Sequence, residues 1–88
     1  MKVVVNRCFG GFGLSDECVK ALGVDEWDVE RTDPRLIEMV EKDAEWTGDK
    51  YSALKVVEIP ASATDWELTE YDGAETIIAV VDGKIVHL

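Results

Sequence analysis

The sequence predicts an α+β fold, a mostly antiparallel sheet of four to six strands with two helices on one face. Three observations carry this. Two Asp-Gly pairs, Asp72-Gly73 and Asp82-Gly83, sit between β-branched runs in the last third of the chain, where each reads as a hairpin turn. Two segments, after Ser15 and after Asp33, open with helix-capping residues and continue with helical apolar spacing. The first strand is followed by a glycine-rich loop rather than by a hairpin partner. At 88 residues, 47% of them hydrophobic, the chain makes one domain, residues 1–88, with a modest core.

Met1 to Asn6 reads as a strand. Val3, Val4 and Val5 make it apolar on both faces, so it is expected to lie centrally in its sheet. Ser15 caps the first helix, with Asp16 and Glu17 placed against the positive end of the helix dipole. Leu14 and Val19 have the spacing of a hydrophobic staple, and Gly23 supplies a left-handed stop after Leu22. Val24 to Arg31 alternates Trp27 and Val29 with charged residues, which fits either a short edge strand or an extended connection. Asp33-Pro34 opens the second helix. Leu36, Ile37, Met39, Val40 and Ala44 form its apolar face, Glu38 and Lys42 an i,i+4 pair, and its end is expected near Glu45. Leu54 to Ile59 is a strand stopped by Pro60. Trp66 to Tyr71, Thr76 to Val81 and Ile85 to Leu88 complete the sheet through the two Asp-Gly turns.

Nine basic residues stand against 19 acidic ones, a net charge of −10. That excess disfavours direct contact with nucleic acid or an anionic bilayer, both of which require a positive surface. It favours a basic protein surface as partner. No basic residue occurs between Lys55 and Lys84, an interval that holds Glu58, Asp65, Glu67, Glu70, Asp72, Glu75 and Asp82. Asp65, Glu67, Glu70, Asp72 and Glu75 are therefore the expected partner-binding residues. The alternative is a solvated acidic shell that only keeps the protein dispersed. Lys2 precedes only three valines before Asn6 and Arg7 interrupt, so no leader is read and the expected location is the cytoplasm.

The run Asn6-Arg7-Cys8-Phe9-Gly10-Gly11-Phe12-Gly13-Leu14-Ser15 is the most distinctive stretch. It imitates a dinucleotide-binding turn, but Asp16 occupies the third glycine position and Glu17 follows. Two carboxylates there would repel phosphates. Phe9 and Phe12 also stand where backbone should approach a ligand. The loop is either a packed structural corner or a contact surface, with Arg7, Phe9 and Phe12 as candidate contacts. Arg7 could pair with an acid of a neighbouring strand.

Catalytic groups are few. His87 is the only histidine, and its place on the last strand suits an edge residue better than a base. Cys8 and Cys18 match no zinc spacing, so no metal or cofactor is expected. Cys18 would lie in the first turn of a helix, where the dipole lowers a thiol pKa while Asp16 and Glu17 oppose the shift. Trp27, Trp46 and Trp66 each adjoin acids. Their default place is the core, and a protein contact surface is the alternative.

The opening V-V-N-R-C-F-G-G-F-G-L-S, the later D-P-R-L-I-E and the E-Y-D-G turn resemble a family of short uncharacterised proteins from phages, prophages and bacterial genomes carrying mobile elements. The resemblance spans most of the chain and assigns no functional residue. It implies a small accessory product of a mobile element, a setting in which many products bind and block host proteins. Together with the charge, this gives the leading expectation. The protein would be a non-enzymatic inhibitor whose carboxylates mimic nucleic acid toward a basic host protein, for example an anti-CRISPR acting on a defence complex. Two other readings stay open. One is a small ligand-binding protein or enzyme using the Gly10–Gly13 loop with Arg7 and Cys8. The other is a self-associating module, since an open edge strand makes a homodimer feasible.

Overall fold

Three consecutive valines supply both hydrophobic cores. Val3, Val4 and Val5 are fully buried in the first strand, and successive side chains of a strand point to opposite faces. Val3 and Val5 pack with Val57, Ile59 and Ile77. Val4 packs with Leu14, Cys18, Leu22, Leu36 and Val40 on the other side. The computed structural model describes residues 1–88, in the order β1 (Lys2–Asn6), α1 (Asp16–Leu22), α2 (Pro34–Lys42), α3 (Ala44–Thr47), β2 (Leu54–Glu58), β3 (Ala63–Tyr71), β4 (Ala74–Val81) and β5 (Lys84–His87). The fold is α+β with five strands. All pairings are antiparallel, β1 with β2 and β3-β4-β5 in a row. The β1–β2 pair is the middle layer, with the helices on one face and the three-stranded sheet on the other.

This layering corrects one expectation. β1 is buried on both faces because it lies between layers, not because strands flank it. Its only strand partner is β2. Its other edge meets a loop: the Val4 amide donates to the Arg31 carbonyl at 2.8 Å. Val24–Arg31 is accordingly a connection of turns rather than an edge strand. Val29 enters the helix-side core while Trp27, two residues earlier, stands in solvent. A strand would have sent both to one face.

The helix caps form as the sequence predicts. Ser15 Oγ accepts from the Cys18 amide at 3.1 Å, and Gly23 ends α1 at φ 72°. Asp33 Oδ1 accepts from the Arg35 amide at 2.8 Å. Hydrogen bonds from Arg35 hold the Asp33 carboxyl below the usual carboxylate range. α2 stops at Lys42, earlier than expected, because Asp43 turns extended and its carboxylate caps α3 through the Trp46 amide at 3.1 Å. The Glu38–Lys42 pair does not form. Lys2 of β1 bridges instead to Glu41 of α2 at 2.8 Å, an exposed contact between strand and helix.

β3 begins at Ala63, ahead of the expected Trp66, and carries a register shift between Ala63 and Asp65. Trp66 and Leu68 face the middle layer. Asp65 and Glu67 therefore lie on the outer face, opposite Val80 and Ile78 of β4. No helix is long and apolar enough to cross a membrane.

Both Asp-Gly turns have two consecutive positive φ values, 52° and 91° at Asp72-Gly73 and 52° and 76° at Asp82-Gly83. They differ in surroundings. A Cβ on Gly83 would meet open space, whereas one on Gly73 would collide with the Phe9 carbonyl and the Gly11 amide. Gly83→Ala should therefore cost about 1–2 kcal/mol of backbone strain. Gly73→Ala should cost about 1–3 kcal/mol more from overlap. Urea denaturation of the two variants checks the order.

Candidate functional site

Asn6 closes β1 and is fully buried. Its side-chain amide uses every donor and acceptor it has. Oδ1 accepts from the amides of Cys8 (3.2 Å) and Ala53 (2.8 Å), and Nδ2 donates to the carbonyls of Cys8 (2.6 Å) and Gly73 (2.8 Å). One side chain thereby ties the start of the glycine loop, the residue before β2 and the β3–β4 turn.

Glu75 lies beside it at the start of β4 and is 7% exposed. Its Oε1 accepts from the Asn6 amide at 2.7 Å and from Arg31 Nη1 at 2.5 Å, and its Oε2 accepts from Arg31 Nη2 at 2.8 Å. This two-pronged pairing suits a planar guanidinium. Arg31 also donates to the Val4 carbonyl at 3.3 Å and lies 3.5 Å from the centroid of the Phe12 ring. β1, β4, the Arg31 loop and the glycine loop converge here.

The glycines serve close packing. A Cβ on Gly10 would strike the Tyr51 carbonyl, and one on Gly13 would strike the Asp49 carboxylate. Gly11 adopts φ 92°. The loop backbone is thus a packed corner. Its Phe9 side chain still projects into solvent at 69% exposure.

Beside this junction opens a cavity of about 460 Å³. Gly10, Gly11 and Phe12 line one part of it. Glu26, Trp27, Val29 and Arg31 line another, and Glu70, Gly73 and Glu75 the rest. Trp27 is 82% exposed. Glu26 Oε2 accepts from the Leu14 amide at 3.0 Å, and Glu70 Oε1 from the Gly73 amide at 2.9 Å. Tyr51 adjoins Gly10 and Tyr71 directly precedes the β3–β4 turn, and both rings are exposed. Four exposed aromatic residues, Phe9, Trp27, Tyr51 and Tyr71, mark this end of the molecule.

The five carboxylates expected to form one face separate. Asp65 and Glu67 lie on the outer face of β3, Glu70 lines the cavity, and Asp72 is exposed in the turn. Glu75 leaves the set altogether, because Arg31 neutralises it inside the fold. Arg7 pairs with no acid; its Nη2 donates to the Leu88 carbonyl at 2.9 Å. Neither Arg7 nor Cys8 lines the cavity, so the ligand-binding alternative built on them loses both residues. Phe12 lies under Arg31 while Phe9 stays free. Of the tryptophans only Trp66 packs against a core; Trp27 and Trp46 are exposed, against expectation. Asn6, Glu26 and Arg31 were not singled out as site residues. A lone polar residue ending an apolar strand, and a lone cation within an acidic run, were the available signals.

Burial pushes the Cys18 thiol above its usual range, and its Sγ rests 3.7 Å from Met39 Sδ. His87 is exposed on β5.

Three outcomes follow from this geometry. Glu75→Ala leaves Arg31 without its partner and should cost about 3 kcal/mol, the low end for a broken buried pair because the Arg31 side chain is 26% exposed. Glu41→Ala, which breaks an exposed pair, should cost at most about 1 kcal/mol in the same urea titration. Iodoacetamide at neutral pH should leave Cys18 unmodified in the native protein and label it only once denaturant is added, as peptide mass mapping would show. Comparison of this chain with protein-family models, with curated proteins and with solved structures gave no match.

Proposed function

We propose that this is a small acidic binding protein that acts without catalysis and engages a basic protein surface. The contact is made through the end where the glycine loop, the Trp27 loop and the β3–β4 turn meet. The observation that carries this reading is the meeting of exposed aromatic rings with uncompensated carboxylates at that end. Trp and Tyr are the side chains most enriched where protein contacts are strong, and Trp27 and Tyr71 stand out from the surface here. Glu26, Glu70 and Asp72 flank them, and none has a basic side chain within 4.0 Å. Only three of the 19 carboxylates, Asp33, Glu41 and Glu75, are ion-paired, so most of the net charge of −10 is free to steer a cationic partner.

A protein that binds nucleic acid is the natural owner of such a cationic surface, and occupying it would inhibit that protein. The resemblance of the opening motif to phage and prophage proteins supports a host protein in the cytoplasm as the target, a defence complex of the CRISPR type among the candidates. Asp65 and Glu67, at alternate positions on the outer face of β3, add a smaller acidic patch of the same kind.

Affinity capture from a bacterial host lysate at low and high ionic strength tests the reading. Two double variants with the same change in net charge are compared with wild type: Glu70→Lys with Asp72→Lys at the proposed contact, and Glu17→Lys with Glu38→Lys on the exposed helix surface. The expected result is a basic protein retained at low salt by wild type and by the helix variant, and lost by the contact variant. Equal retention by both variants would overturn the proposal.

A further inference from the structure

We infer that the cavity between the glycine loop, Trp27 and the β3–β4 turn is a receptor for an arginine side chain of the partner. This rests on the binding-protein reading above and specifies what that site recognises. The first argument is charge. Three carboxylates line the cavity, Glu26, Glu70 and Glu75, against one cation, Arg31. Arg31 and Glu75 neutralise each other, which leaves the cavity lining with two uncompensated carboxylates, Glu26 and Glu70. A phosphate or carboxylate ligand is disfavoured there, and a cation is favoured.

The second argument is hydrogen-bonding capacity. Glu26 and Glu70 each use one oxygen to accept a backbone amide, from Leu14 and Gly73 respectively. Those bonds hold the two carboxylates in place. The second oxygen of each accepts nothing from the protein, so each side chain is oriented and still able to receive an N–H.

The third argument is that the same recognition already operates next door. Arg31 is held by an aromatic face, Phe12 at 3.5 Å, and by a carboxylate gripping it at both oxygens. Trp27 with Glu26 and Glu70 repeats these two ingredients, an aromatic surface and carboxylates, without a guanidinium of the protein's own. Trp is also the strongest cation–π surface among side chains. A planar, forked guanidinium matches such a site better than the point charge of lysine. The volume, about 460 Å³, lies within the range of small-ligand sites and accepts one long side chain with room for its backbone.

Titration by NMR at low ionic strength tests the inference, using three blocked tripeptides, Gly-X-Gly with X as arginine, lysine or citrulline. The arginine peptide should shift the Trp27 indole N–H and the Gly10 and Gly11 amides saturably, and bind about threefold more tightly than the lysine peptide. The uncharged citrulline peptide should show no saturable shift. Trp27→Ala and Glu70→Gln should each weaken arginine binding about threefold. Both positions are exposed, and an unchanged melting temperature shows that the fold is kept. Equal binding of arginine and citrulline peptides, or arginine shifts centred on Asp65 and Glu67, would overturn the inference. Absence of cavity shifts, with the contact variant still losing its basic partner, sinks the arginine receptor and leaves the binding-protein reading intact. Saturable arginine binding in the cavity, with the contact variant still retaining that partner, supports the receptor and sinks the reading of its use.

Discussion

Arg31 and Glu75 are 44 residues apart in the chain, and their pairing joins the loop before α2 to the start of β4 beside the candidate site. A buried carboxylate and a guanidinium are costly to remove from water, so they persist only when each finds nearly all its hydrogen bonds in the other and in fixed neighbours. Glu75 meets that condition with three donors, two from Arg31 and one from the Asn6 backbone. Arg31 meets it with Glu75, the Val4 carbonyl and the Phe12 ring. Such a pair adds little net stability relative to apolar residues of the same size. It does link β4 to β1 and to the Arg31 loop, since the same carboxylate accepts from the Asn6 backbone and from Arg31.

Asn6 extends this constraint from charges to backbone. It satisfies groups from the glycine loop, the residue before β2 and the β3–β4 turn, all segments outside the regular ladders. The close approach of Gly73 to Phe9 and Gly11 is possible because these bonds position both turns and because no side chain intervenes. Behind them β1 divides its valines between two cores, so a chain of 88 residues builds three layers around one short pair of strands. The cavity opens where that middle layer ends and loops take over.

The proposed contact surface is made of what the network leaves out. Once Glu75 is consumed internally, Glu26 and Glu70 remain beside it with spare acceptors, and Trp27 remains with an uncovered ring. Apolar rings in water and like charges near one another are both unfavourable in the free protein. A cationic partner relieves both together, which is the physical content of the proposed role.

Local chemistry was sufficient for much of this protein. The two helix starts, the left-handed stop at Gly23, the two Asp-Gly hairpins and the antiparallel α+β class follow from capping groups, φ preferences and side-chain periodicity. Each of these acts over a few neighbouring residues. Net charge likewise belongs to the chain whatever its fold. Tertiary structure alone decided that β1 is covered by layers and not by strands, that Trp27 is exposed while Val29 is buried, and that Glu75 is a structural acid while Glu70 and Asp72 are surface ones. Glu70, Asp72 and Glu75 look alike along the sequence, because a carboxylate's role depends on whether a cation from a distant segment reaches it. Arg31 reaches Glu75 because the loop before α2 packs along the edge of β1, a long-range contact that local pattern does not encode.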